Sequence, residues 1–124
     1  MEFKLLKCPV CGKIVAVIND SAAPTVCCGK PMVELKANTG DGAYEKHVPV
    51  VEVKGNKVEV RVGSIDHPMI PEHYIEFVVL RTNKGNQRKA LKPGDLPHVS
   101  FVIEEGEEVL EVLSYCNLHG LYKA

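Results

Sequence analysis

The sequence contains no tryptophan, no excess of charge of either sign, and no apolar run approaching the roughly 18 residues a membrane span needs. Fifteen Lys and Arg against sixteen Asp and Glu leave no basic surface with which to hold nucleic acid or a phospholipid face. The N-terminal stretch places Glu2, Lys4 and Lys7 where a secretion leader would be apolar, so the expected compartment is the cytoplasm. Helical periodicity is missing over any long stretch, while ten Gly and eight Pro supply turns. Together these features predict an all-β protein.

The first 36 residues hold four of the five cysteines and only two short β-prone runs, Phe3 to Lys7 and Lys13 to Ile18. So small a segment cannot bury a core unaided and needs a staple. Residues 37–43, Ala-Asn-Thr-Gly-Asp-Gly-Ala, read as a flexible connection or loop and mark a boundary between modules 1–36 and 37–124. Beyond it, Lys57 to Val62 alternates polar and apolar residues, and with Val50 to Val53 it predicts a hairpin across Lys54-Gly55-Asn56. Tyr74 to Arg81, Val99 to Ile103 and Val109 to Tyr115 are further strands, and Lys92-Pro93-Gly94-Asp95 suits a type II turn. Such spacing predicts an immunoglobulin-like antiparallel sandwich or barrel. The run Glu104-Glu105-Gly106-Glu107-Glu108 reads as a solvated hairpin tip.

In a reducing compartment five cysteines argue for metal binding over a disulfide framework. Cys8-Pro9-Val10-Cys11, followed after fifteen residues by Cys27-Cys28-Gly29, can place four thiolates around one tetrahedral metal. On spacing alone zinc and iron fit equally, and a vicinal disulfide is a further alternative. Adjacent residues of an extended strand point to opposite faces, so Cys27 and Cys28 share a metal only if the backbone bends between them.

Histidines stand at 47, 67, 73, 98 and 119, and the fifth cysteine at 116. Taken singly, each reads as a surface or satisfied core residue. Their settings say more: His67-Pro68-Met69 and Glu72-His73-Tyr74 flank a proline-containing loop, and Cys116-Asn117-Leu118-His119 brings thiolate and imidazole within one turn after a strand. Imidazoles with one thiolate suit a borderline metal, and five ligands leave one octahedral position for substrate.

CPVCGKIV and VCCGKPM resemble the desulforedoxin module, which implies Cys8, Cys11, Cys27 and Cys28 as ligands of a rubredoxin-like iron. YEKHVP, HPM, EHYIE and YCNLHGLY resemble the catalytic domain of the desulfoferrodoxin family of two-iron superoxide reductases. That likeness spans nearly the whole chain. It implies His47, His67, His73 and His119 as equatorial ligands of a second iron, with Cys116 axial. It further implies catalytic roles for Glu45 and Lys46 beside the open position, inner-sphere reduction of superoxide to hydrogen peroxide, a rubredoxin-like electron donor and a homodimer. His98 falls outside these motifs and is expected at the surface. Phe77 departs from the family, which often carries tryptophan there. Two other classes are an iron protein that only passes electrons and a zinc-stapled structural module.

Overall fold

The computed structural model describes residues 3–124, which divide into two compact units, residues 3–36 and 37–124. In the first, β1 (Lys4–Lys7), β2 (Ile14–Val17) and β5 (Val33–Glu34) form an antiparallel sheet in the order β2-β1-β5. A separate hairpin joins β3 (Val26–Cys27) to β4 (Lys30–Pro31). Among the described residues of this unit only Leu5 and Cys8 are buried, so it has almost no apolar core of its own.

The second unit opens with a short helix, α1 (Tyr44–His47), and continues as strands β6 (Pro49–Lys54), β7 (Lys57–Val62), β8 (Ile75–Thr82), β9 (Gly85–Ala90), β10 (His98–Val102), β11 (Val109–Cys116) and β12 (Gly120–Lys123). These make a three-stranded sheet, β10-β7-β6, and a four-stranded sheet, β12-β11-β8-β9. The alternation read in Lys57–Val62 turns Val58, Val60 and Val62 inward, where they meet Ile75, Val78, Leu80, Phe101, Ile103, Val112 and Cys116. Gln87 of β9 donates to Val102 O of β10 at 2.8 Å, tying an edge of one sheet to an edge of the other. The result is an antiparallel β-sandwich with Cys116 at the end of its core.

The predicted hairpin is present: Gly55 takes φ +61 at the first of two loop positions, as a II′ turn asks. Gly94 at φ +94 likewise completes the Pro93-Gly94 turn. The short strands β3, β4 and β5 of the first unit escaped the sequence reading, and so did two strands of the second. Gly85–Ala90 is almost wholly polar and exposed, and Gly120–Lys123 is too short to show a pattern. The acidic run is not a hairpin tip, because β10 pairs with β7 and β11 with β8, which makes residues 104–108 a crossover between sheets. Glu107 is engaged there, accepting from Thr82 Oγ1 and, at 2.9 Å, from Glu104 N.

Of the two readings of residues 37–43, a flexible connection or a loop, residues 38–43 fit the loop: they are largely exposed but are tied down by hydrogen bonds to β12. Asn38, at φ +61, donates its N–H to Leu121 O at 2.8 Å and accepts from Lys123 N at 3.0 Å through Oδ1, so it lines the outer side of β12. His98 is exposed and meets Asp66 Oδ1 at 3.0 Å.

Candidate metal centres

The first cluster forms where two tight turns face each other. The β1–β2 loop closes through Cys8 N to Lys13 O at 2.8 Å, and inside it the N–H groups of Val10 and Cys11 both reach Cys8 Sγ at 3.4 Å. Opposite lies the two-residue loop of the β3–β4 hairpin, Cys28-Gly29, with φ +53 and +72. The left-handed conformation of Cys28 supplies the bend that the adjacent pair requires, and it lets Cys27 and Cys28 face the same way. The four sulfurs lie within 4.8 Å of one another. Cys11 Sγ and Cys27 Sγ are 3.7 Å apart, and Cys27 Sγ and Cys28 Sγ 4.0 Å. Bonds of ~2.3 Å from a tetrahedral metal would space sulfurs by ~3.8 Å, whereas a disulfide needs ~2.05 Å. The geometry therefore fits one metal and excludes the vicinal disulfide.

Electrostatics agree. The Cys11 N–H, chief among several donors, brings the Cys8 thiol down to about 6, while hydrogen bonding to Cys8, then to Cys11, pushes Cys27 up to about 12, and hydrogen bonding to Cys11 above all raises Cys28. Without a cation four such neighbours cannot all ionise, because each thiolate opposes the next. A bound metal ion removes that opposition.

The second cluster draws on four segments of the sandwich. His47 ends α1, His67 follows β7, His73 precedes β8, and Cys116 and His119 flank the β11–β12 turn. The rings of His47, His67, His73 and His119 form a closed circuit: successive centroids are 4.5, 4.6, 5.1 and 4.8 Å apart, with interplanar angles of 83°, 82°, 72° and 88°. Across the circuit His47 and His73 are 6.1 Å apart and nearly parallel, at 29°. His47 Nε2 lies 3.1 Å from both His67 Nε2 and His119 Nδ1, and His119 Nδ1 lies 3.8 Å from Cys116 Sγ. The donor atoms of His47, His67, His73 and Cys116 all fall within 4.8 Å of one another.

A metal is what such a circuit fits. His47 Nδ1 donates to Ala43 O and His67 Nδ1 to Pro68 O, both at 2.7 Å, so in the neutral rings both Nε2 atoms carry lone pairs. Two lone pairs facing each other at 3.1 Å repel unless a cation sits between them. Metal–nitrogen bonds of ~2.0–2.1 Å at right angles would place nitrogens ~3 Å apart. His73 Nε2 is buried with no hydrogen-bond partner, and a metal would answer that need also. Burial, above all, keeps the rings unprotonated: His67 falls to about 4, and His47 and His73 are lowered too, with Lys46 adding a repulsive charge to both of these. Burial likewise raises the Cys116 thiol, against the backbone N–H groups of His119 and Leu118. A metal ion would supply the charge that ionises it.

The remaining expected residues are placed as follows. Glu45 and Lys46 are exposed on α1, next to His47. Their turn is pinned by Glu45 O, which accepts from Ile65 N at 2.9 Å and Ser64 Oγ at 3.2 Å. Phe77 stacks on Tyr115 at 5.3 Å, interplanar angle 7°, so its packing role survives without an indole. Sequence reasoning missed Ser114, a buried residue whose Oγ donates to His47 O at 2.7 Å. It also missed Asn117, whose side chain bonds Tyr74 N at 2.9 Å and Glu72 O at 3.0 Å, on either side of His73. Ser114 gave no signal in the sequence; Asn117 did, as a hydrogen-bonding side chain lodged between Cys116 and His119.

Comparison with known proteins converges on one family. The desulfoferrodoxin profile matches residues 39–124, and that of the desulfoferrodoxin N-terminal domain matches residues 2–35. Desulfoferrodoxin of Nitratidesulfovibrio vulgaris is 45% identical over 123 residues, covering 99% of this chain and 96% of that one. A desulfoferrodoxin homolog of Archaeoglobus fulgidus is 44% identical over 121 residues, covering 98% and 95%. The crystal structure of the superoxide reductase from Treponema pallidum superposes with a TM-score of 0.84 at 37% identity, over 100% of this chain and 99% of that one. With a four-thiolate site and an imidazole–thiolate site suited to the two irons of these proteins, the chain belongs to the desulfoferrodoxin family.

Proposed function

We propose that this protein is a superoxide reductase, with its chemistry at the imidazole–thiolate centre. The observation that carries the reading is the closed circuit of four imidazoles joined by one thiolate. Five donors leave one position of an octahedron without a protein ligand, and a centre that only relays electrons has no use for an open position.

In this reading His47, His67, His73, His119 and Cys116 hold the catalytic iron, and Cys8, Cys11, Cys27 and Cys28 hold a second iron able to carry one electron. Ferrous iron held by the first five residues would supply the one electron that, with two protons, converts superoxide to hydrogen peroxide. The residues set the conditions for that step. Burial keeps His47, His67 and His73 neutral, and with the thiolate of Cys116 as the charged ligand the centre would stay net positive toward an anion. Lys46, exposed and close enough to act on both His47 and His73, draws superoxide in and stabilises the charge that develops on it. Glu45, one residue before it and exposed on the same turn, would offer a carboxylate to that side of the centre.

Re-reduction needs an external one-electron donor, and a rubredoxin-like protein is the donor the family resemblance implies. The small first unit, which buries only Leu5 and Cys8 among its described residues, would gain from pairing as a homodimer. The cytoplasm suits its reduced thiols. No helix is long and apolar enough to cross a membrane.

The test combines metal analysis with rapid mixing. Protein produced with ample iron should carry two irons per chain, one for each donor set. Once reduced, it should consume pulse-generated superoxide and yield peroxide without oxygen. One tetrahedral zinc and no iron, or oxygen release in the proportion of dismutation, would sink the reading.

A further inference from the structure

We propose that Tyr122 is a positioning residue for the catalytic centre: its hydroxyl holds the strap of residues 40–43 against the His47 ring and so fixes the direction of His47 Nε2. The inference rests on the metal assignment made above. It concerns a residue that contributes no ligand.

Tyr122 lies in β12 and is fully buried. Its ring sits 4.8 Å from that of His47, tilted by 42°, and Tyr44 closes against its far side edge-on at 6.1 Å. The hydroxyl accepts the N–H of Gly42 at 2.9 Å. The carbonyl of the following residue, Ala43 O, takes the Nδ1 proton of His47 at 2.7 Å. Phenol, strap and imidazole thus form one relay in which the position of Gly42 decides where the His47 acceptor stands.

The strap fits only as glycine. A Cβ on Gly42 would lie 2.6 Å from His47 Cε1, 2.8 Å from His47 Nε2 and 2.9 Å from His119 Cβ. A Cβ on Gly40 would lie 2.0 Å from His119 O and 2.8 Å from the Tyr122 hydroxyl. The backbone therefore lies directly against the His47 ring, and against the Cβ and carbonyl of His119, with no room for a side chain between. Such an approach is held by few bonds, because glycine contributes no packing of its own. Removing the phenolic oxygen while keeping the ring should leave β12 packed but free the strap to turn Gly42 N–H toward water, carrying Ala43 O away from His47.

The experiment uses iron-loaded Tyr122→Phe in the full chain. It should keep the wild-type far-ultraviolet spectrum and the visible bands of the four-cysteine iron, an internal control in the other unit. The ferric electron paramagnetic resonance signal of the imidazole–thiolate iron should change in rhombicity, and a chelator should strip ferrous iron from that centre at least threefold faster. Gly42→Ala, which presses on the same ring from the exposed side, should move the same two signals. Phe101→Leu, a core change far along the sandwich with a comparable loss of Tm, should move neither. Unchanged resonance and release in Tyr122→Phe, or in Gly42→Ala, would overturn the inference, as would equal changes in Phe101→Leu. Wild type that takes up no iron at its imidazoles would instead overturn the functional reading, and this inference with it.

Discussion

His47 and His67 turn their Nε2 atoms toward each other at 3.1 Å while each gives its other ring proton to a backbone carbonyl at 2.7 Å. The carbonyls choose the tautomer, and the tautomer leaves a pair of electron donors aimed at one point. Nothing in a metal-free protein rewards that arrangement, so it is held by the fold.

A pH dependence follows for the protein stripped of metal. Burial holds His67 at about 4 against an ordinary 6.5, with His47 and His73 also lowered. The unfolded chain therefore binds protons through that interval which the folded chain refuses, and stability falls as pH drops from about 6.5 toward 4. Tm of chelator-treated protein should decline steadily between pH 7.5 and 4.5. His67→Asn should flatten the decline, and a wild-type profile already flat would contradict the reading.

The two centres draw their ligands from separate units. Cys28→Ser should abolish the visible bands of the four-cysteine iron, yet leave the single-turnover reaction of the pre-reduced imidazole–thiolate centre within about twofold of wild type. Loss of that reaction with the imidazole–thiolate iron still bound would show that the centres are not independent.

Glu45 is exposed and its backbone is pinned by Ile65 and Ser64, so its side chain can swing without moving His47. Glu45→Ala should change the resting ferric spectrum but alter the rate of superoxide attack less than threefold. A large fall in that rate would assign the carboxylate to attack instead.

Lys46 lends its charge to His47 and His73 on opposite sides of the ring circuit. Lys46→Ile should slow the second-order reaction roughly tenfold or more without releasing iron, and Lys46→Arg should keep most of the rate, since charge is what is asked for. Raising ionic strength should slow wild type more than Lys46→Ile, because a surface charge is screened over about 10 Å at 0.1 M salt. Equal rates and equal salt dependence in the two proteins would reduce Lys46 to an ordinary surface residue.

What the sequence made legible was governed by local chemistry. The adjacent cysteines announced a bend, and Cys28 at φ +53 supplies it. The alternation of Lys57–Val62 announced an inward face of valines, and they form the core. What stayed hidden depends on distant partners. Gly85–Ala90 has no apolar face of its own and becomes a strand because β8 offers an edge. Residues 38–43 read as a tether or a loop, since small polar residues describe a loose connection and a hydrogen-bonded one equally well; only β12 and His47, remote in sequence, distinguish them.

Asn38 has a consequence of another kind. An uncovered strand edge invites any passing polypeptide to add itself to the sheet. By spending its own N–H and its side-chain carbonyl on Leu121 and Lys123, Asn38 closes that edge one strand away from Cys116, with the turn bearing His119 between them. A residue that binds neither metal nor substrate thereby guards the ligand turn against being drawn into an aggregate.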